Sequence, residues 1–313
     1  MTTDIIPLGT AAAVPTPDRH LSAVAIERKG RVLLFDCGEG TQVRFLDVGL
    51  NRARVDAIFV THLHGDHWFG LPGLLSTMAL LQRTDPVTLV GPVGLHDRLD
   101  ALAEIRSLPY PLRTVALPPD VPVDDVYVTD DFAVDACPLQ HRVPAHGFRL
   151  QEHSRRGRFQ PERARALGVT DPNDFGRLAE GTSVTTEDGT TVPPNQVLGP
   201  EREGLAVAYV TDTEPCNGGR ALAHEADLLY HEATFLREHV ARARTTGHST
   251  AREAATIARD AHCQRLLLGH ISARYATVGP LVEEAQAVFP NSDAAREGHR
   301  YTLDPREKWD ETG

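Results

Sequence analysis

Lysine is almost missing from this chain. Of its 32 basic residues only Lys29 and Lys308 are lysines, which leaves 30 arginines against 43 acidic residues and a net charge of −11. Bulk positive charge is therefore excluded as a way of holding nucleic acid. An acidic, lysine-poor surface fits a protein that stays soluble at high salt; a GC-rich genome that favours Arg codons gives the same ratio, and both readings stay open. Cysteine is scarce too. Cys37, Cys137, Cys216 and Cys263 lie far apart and form no Cys-x-x-Cys pair. That excludes a disulfide scaffold and a cysteine zinc site, and points to a reducing cytoplasm. No stretch approaches the roughly 20 apolar residues that cross a bilayer. The start, Met-Thr-Thr-Asp4, lacks the basic-then-apolar pattern of a secretory signal. Cytoplasmic location without membrane contact is the expectation. With 41% hydrophobic and 24% charged residues, disordered and fibrous classes are excluded as well.

Histidine, by contrast, is plentiful, with 15 residues in 313. The apolar pattern around these histidines alternates strands and helices. Residues 22–27 and 31–35 flank Arg28-Lys29-Gly30, a hairpin signal. A glycine-rich turn follows at 36–41, and 56–60 is a short buried strand. Helical spacing is read over 68–83 and 94–106, strands over 87–90, 112–151 and 205–210. The C-terminal part then alternates: strands at 227–230 and 265–268, helices at 250–262 and 278–289, the former opened by Thr250-Ala-Arg-Glu253, a capping box. Strands interleaved with helices in both halves predict an α/β fold of two sheets between helices. Residues 152–204 differ. They are polar, basic at first and turn-rich at 170–174 and 185–190, with a short helix near 161–167. They are too long for a structureless loop and read as an excursion from the core, a protruding arm.

Thr61-His-Leu-His-Gly-Asp-His67 directly follows the strand at 56–60. Imidazole and carboxylate suit zinc, and His62, His64, Asp66 and His67 are more than one tetrahedral ion needs. Two ions are therefore inferred. Three more ligands sit just past apolar strands: His141, Asp212 and His270. His62, His64 and His141 would hold one zinc, Asp66, His67 and His270 the other, and Asp212 would bridge them.

His-x-His-x-Asp-His with later His, Asp and His resembles the metallo-β-lactamase superfamily, which implies a four-layer αβ/βα sandwich over residues 1–313. The superfamily's iron oxidoreductases carry an acidic residue where this chain has His64, so the resemblance favours zinc and hydrolysis. Further segments resemble the ribonuclease Z family: Gly9-Thr10 with Val14–Arg19, Phe35–Gln42, Thr61–Leu74, His231-Glu-Ala-Thr234, Gly247-His-Ser-Thr250 and His270–Tyr275. The likeness spans about residues 5–303. It implies a zinc-dependent endoribonuclease, with two Zn2+ per subunit, that acts as a homodimer on precursor tRNA and cuts off the 3′ trailer to leave a 3′-hydroxyl. It also implies that residues 152–204 are an inserted arm that clamps tRNA, with Arg155, Arg156 and Arg158 meeting phosphates and Arg163 and Arg165 adding charge.

On this reading Asp66 is general base as well as ligand, and His248 is general acid with Glu232 setting its tautomer. Arg274, with Arg19 and Thr10 behind it, would hold phosphate near the cut. Asp36 and Glu39 shape the loop or support ligands. His20, where Asn is the family's habit, and His146 are read as structural, and Asp171–Arg177 stands where a common bacterial form has a Gly-Pro-rich element. The alternatives are a related zinc phosphodiesterase or 3′ exoribonuclease, a thiolester or lactone hydrolase, and an inactive RNA-binding subunit. The basic arm and the Glu232–His248 pair speak against the second, and the complete ligand set against the third.

Overall fold

The predicted hairpin forms. Ala23–Arg28 pairs antiparallel with Arg31–Phe35, and the two turn residues, Lys29 and Gly30, both take positive φ (51° and 72°). That is the turn whose twist matches the strands it joins. The computed structural model describes residues 2–305; residues 306–313, the end of the expected domain, lie outside them. Among the described residues a first sheet orders its seven strands as 301–303, 3–9, 23–28, 31–35, 55–59, 87–92 and 112–117. A second runs 292–294, 266–269, 228–232, 206–210, 145–152, 132–139 and 123–128.

Their inner faces share one core. Phe35 and Phe59 of the first sheet stack at 4.8 Å, and Phe148 of the second packs on both at 5.9 and 5.4 Å. Leu71, Leu74, Leu75 and Met78 of helix Leu71–Leu80 cover the outer face of the first sheet. Helices Asn217–Ala223, Ala251–Asp260 and Gly279–Gln286 cover the second. This is the αβ/βα sandwich. Ala251–Asp260 carries the expected capping box, with Thr250 and Glu253 each bonding the other's backbone N–H. Strands 31–35 and 55–59 run parallel, as do 206–210, 228–232 and 266–269. Their carboxyl ends are where α/β sheets commonly place ligands.

Three local expectations are corrected. The stretch 68–83 is a short turn of helix, Gly65–Trp68, then Leu71–Leu80, which leaves Asp66 and His67 on their own turn. Residues 94–106 form two helices, Leu95–Asp100 and Ala103–Arg106, because Leu102 is extended (ψ 122°). Residues 170–174 do not simply turn: Asp171 caps a helix, Pro172–Ala179, by accepting from Asn173 N at 2.8 Å. Asp at the cap and Pro at the first helical position suit a helix start as well as a turn.

Residues Glu152–Gly204 form a compact unit separate from the sandwich. The unit has its own small core of Ala164, Val169, Leu178, Val184, Val192 and Val197, against which Phe159 and Phe175 pack. Thr186–Gly189 turns a two-stranded hairpin, Val184–Thr185 with Thr191–Val192.

Candidate metal centre

The histidine-rich segment is anchored before it turns. Val60 N donates to Val90 O, and Thr61 N donates to Asp36 Oδ1 at 2.8 Å. His62 and His64 follow on extended backbone. His64 then starts the helical turn Gly65–Trp68, which carries Asp66 and His67. Gly65 leaves room there for the exposed Phe69 ring, which would lie 2.4 Å from a Cβ and have to shift. Asp212 follows strand Ala206–Val210 and His270 follows strand Leu266–Gly269. Both sit at left-handed φ (52° and 51°), as does Asp36 (57°). Non-glycine residues rarely take this conformation and tend to do so at functional sites.

All seven expected ligands converge. Four of them, His62, His64, His141 and Asp212, bring one ligand atom each within 4.8 Å of one another, and Asp66, His67 and His270 do the same. His62 Nε2 lies 2.9 Å from His64 Nδ1, and His141 Nε2 lies 3.4 Å from it. Asp212 stands between the groups. Its Oδ2 is 3.6 and 3.9 Å from Nε2 of His62 and His141, and its Oδ1 is 3.4 and 3.0 Å from Nε2 of His67 and His270. Asp66 Oδ2 is 3.4 and 3.7 Å from the same two Nε2 atoms. Bonds of about 2.0 Å to a tetrahedral cation put neighbouring ligand atoms about 3.3 Å apart. The observed separations bracket that value, one group on each side of Asp212.

Four imidazoles are fixed through the nitrogen that faces away from the cluster. His62 Nδ1 meets Thr61 Oγ1 at 3.0 Å, His67 Nδ1 meets Asp36 Oδ2 at 2.7 Å, His141 Nδ1 donates to Gly247 O at 2.7 Å, and His270 Nδ1 meets Thr234 Oγ1 at 3.0 Å. Such partners set the tautomer and ring angle of a metal-binding histidine. His67 Nε2 and His270 Nε2 are left buried with no hydrogen bond of good geometry. Buried nitrogens without a well-aimed hydrogen bond, among carboxylate oxygens, are what a cation site leaves in the protein.

The electrostatics agree. Burial, with neighbouring imidazoles, pushes His62 far below its usual range; burial also lowers His64 and His141, so all three favour the neutral form a ligand needs. Burial opposes charge on His67 and His270 as well, but Asp212 and the carboxylates beside them win: His67 is raised well above its usual range and His270 to about 10. Burial likewise opposes charge on Asp66 and Asp212, yet the adjacent histidines hold both carboxyls far below the usual range. Two anionic carboxylates among buried imidazoles suit bound dications.

Beside this cluster lies an ordered pair. Glu232 is fully buried at the end of strand Leu228–Glu232. Its Oε1 accepts from Thr213 N at 2.5 Å and from His248 Nδ1 at 3.0 Å; its Oε2 accepts from Thr234 Oγ1 at 2.6 Å and Ser249 N at 3.1 Å. Burial works against charge on both partners. Their mutual attraction prevails, lowering the Glu232 carboxyl and raising the His248 imidazole. The His248 side chain stays 12% exposed, with its ring 5.2 Å from His141 and 5.4 Å from His270.

The remaining expected residues divide. Arg274 is exposed, stacked over Phe235 at 4.9 Å, and Phe235 lies 6.2 Å from His248. Arg19 is turned inward, its Nη2 donating to the carbonyls of Tyr275 (2.8 Å) and Ser272 (3.4 Å). Thr10 bonds Glu297, which also takes His20 Nδ1 at 2.6 Å. His146 is buried with Nε2 on Pro118 O, and Glu39 is exposed. In residues 152–204, Arg156 and Arg158 are exposed, Arg155 lies 3.8 Å from Glu152, and Arg165 pairs with Glu162 at 2.6 Å. The sequence reading missed supports that only the fold assembles. Tyr209 Oη donates to Asp36 at 2.9 Å, and Ala13 N, itself at φ 57°, donates to Asp66 Oδ2 at 2.9 Å.

Comparison with known proteins supplies the family. The profile described as "Anti-Pycsar protein Apyc1" matches residues 3–104. Ribonuclease Z of Salinibacter ruber is 62% identical over 311 residues, 98% of this chain and 97% of that protein. Ribonuclease Z of Haloferax volcanii is 45% identical over 283 residues, 90% of this chain and 89% of its own. Among solved structures, human tRNase Z, short form, superposes with a TM-score of 0.68 and 29% identity over 96% of this chain and 98% of that one. The metallo-β-lactamase fold protein YhfI of Bacillus subtilis, at 18% identity and a TM-score of 0.68, covers 96% of this chain and 99% of its own and shares the fold. With its ligand segments in the family's order and identity of this extent over nearly its whole length, the chain belongs to the ribonuclease Z family.

Proposed function

We propose that this chain is a zinc-dependent endoribonuclease that removes the 3′ trailer from precursor tRNA, with two Zn2+ per subunit, as a cytoplasmic homodimer. The observation that carries the chemistry is Asp212 set between two groups of nitrogen and carboxylate donors, with His67 Nε2 and His270 Nε2 buried beside carboxylates but without a hydrogen bond of good geometry. The substrate rests on the relatives named ribonuclease Z and tRNase Z. His62, His64 and His141 would hold one ion, Asp66, His67 and His270 the other, and Asp212 both. When bound, the two cations lower the pKa of a water and offset the charge that gathers on phosphorus.

The chain's own groups do the rest. Asp66, fixed by Ala13 N–H, orients the attacking water and takes its proton. The new bond joins that oxygen to phosphorus, and the bond from phosphorus to the ribose 3′-oxygen breaks. His248 gives a proton to this leaving oxygen through Nε2, because Nδ1 is committed to Glu232. Glu232 favours the charged imidazole and fixes its orientation. Arg274, stacked over Phe235, holds a phosphate beside the cut. Arg19 and Thr10 act behind it by shaping the loop 10–20, and Asp36 supports His67. The products are a tRNA ending in a 3′-hydroxyl and a 5′-phosphorylated trailer. Residues 152–204, with Arg155, Arg156 and Arg158, bind the tRNA body through its phosphates.

Two variants test this reading together. Deleting 155–200 abolishes cleavage of precursor tRNA and spares bis(p-nitrophenyl) phosphate, while His64→Ala loses bound zinc and both activities. Equal loss on both substrates from the deletion would make the arm structural, and turnover by a zinc-free His64→Ala protein would overturn the metal assignment.

A further inference from the structure

A cavity of about 280 Å3 is walled by Leu63, Pro92, Val93, Val143 and Pro144, and Arg98 also lines it. Three of its walls lie on loops that carry ligands, and Leu117 and Pro119 complete the lining. Leu63 lies between His62 and His64, and Val143 and Pro144 follow His141 by two and three residues. The lining is aliphatic and stiff, since proline fixes its backbone and valine its side chain. A dry apolar cavity of about 150 Å3 admits benzene, so this one has room for a purine. Val93 stands 64% exposed at the wall, and an exposed apolar surface beside a polar site marks a place for a ligand. The Arg98 guanidinium is exposed and has no hydrogen-bond or ion-pair partner among the described residues, in a chain of net charge −11.

We propose that this pocket takes the base of the first trailer nucleotide and that Arg98 meets the phosphate after it. The proposal rests on the reading of the site as a precursor-tRNA endonuclease. The orientation follows from the proton donor. His248 faces His141 and His270, so the departing 3′-oxygen and the tRNA body lie on that side. Leu63, at the pocket's wall, lies between His62 and His64, two ligands of the group that does not include His270. A phosphate held among the donors sends its other ester, the 5′-oxygen of the trailer, toward the pocket. One base seated in an apolar slot, without base-specific donors, gives binding that tolerates any sequence.

The test compares zinc-loaded wild type and Val93→Trp, which fills the pocket from an exposed position. The substrates are precursor tRNA with a natural trailer, and with an abasic residue at the first or the second trailer position. Wild type should lose about tenfold in KM on the first abasic substrate, with kcat within about twofold and no change on the second. Val93→Trp should show the same loss on the natural trailer and none beyond it on the first abasic one, because the two changes remove one interaction. Arg98→Ala should raise KM only for trailers of two or more nucleotides. If wild type cuts once at the junction but ignores the abasic residue, the pocket proposal fails and the function stands. If the Val93→Trp loss persists on the abasic trailer, the tryptophan acts elsewhere and the proposal fails. If no cut occurs at the junction, both readings fail.

Discussion

Replacing Glu232 by glutamine separates the proton donor from the metal site. The carboxylate accepts from three backbone N–H groups, Thr213 on Oε1 and Ser249 and Thr234 on Oε2, and from Thr234 Oγ1 and His248 Nδ1. An amide has one accepting oxygen. Whichever way it turns, its NH2 faces at least one of those backbone N–H groups, which then stays buried without an acceptor at a cost of about 1–3 kcal/mol. The melting temperature should fall by about 5 °C, with the protein still folded at 25 °C. The larger effect is on His248. Burial opposes its charged form, and the Glu232 charge and hydrogen bond do most to raise it, with Asp212 adding. Without the Glu232 charge the imidazole no longer holds its proton. General acid catalysis contributes about 10²- to 10⁴-fold, so kcat on precursor tRNA should drop by at least about 10². A p-nitrophenolate leaves without a proton, so bis(p-nitrophenyl) phosphate should lose less than about fivefold. The assay is kcat on both substrates at equal zinc content. Equal losses would refute the assignment of His248 as proton donor and leave Glu232 a structural residue.

Asp36→Asn weakens the support of His67 Nδ1 and of Tyr209 Oη. Cation affinity should fall about 10- to 100-fold, read by competition with a chromogenic chelator; unchanged affinity would make Asp36 a fold residue only. His146 is buried, and burial lowers its pKa against a partial contribution from the Pro118 carbonyl. The unfolded chain therefore takes up a proton below the ordinary value of about 6.5 while the fold does not. His146 thus destabilises the fold as pH falls through about 6.5. His146→Gln, which can still donate to Pro118, should lose about 1 kcal/mol less stability than the parent between pH 7.5 and 5.5, measured by urea unfolding. Identical pH dependence would contradict this.

The seven donors were legible in the sequence for two different reasons. His62, His64, Asp66 and His67 are close in the chain, so their spacing alone signals a cluster. His141, Asp212 and His270 each stand just past an apolar run, where a buried strand surfaces. What supports them was harder to read. Tyr209 looks like any aromatic in a strand, and Gly247 O and Ala13 N are backbone atoms that no side-chain pattern announces. Among elements, Asp171-Pro172 read as a turn because Asp and Pro serve turns and helix starts alike. Helices Thr41–Asp47 and Asn217–Ala223 were missed because each is two turns long and opens at or beside glycine. Arg19 looked available for phosphate from its charge, and only the carbonyls of Ser272 and Tyr275, over 250 residues away, turn it inward.

The most direct test is incubation of the zinc-loaded protein with a 5′-labelled precursor tRNA carrying a 3′ trailer, at low and at molar salt, with and without chelator. The account predicts one labelled product ending at the discriminator base with a 3′-hydroxyl, lost with chelator and restored by zinc. A ladder of shortened products would mean an exonuclease. No product at any salt, with bis(p-nitrophenyl) phosphate still hydrolysed, would contradict the tRNA assignment and leave a zinc phosphodiesterase of smaller substrates.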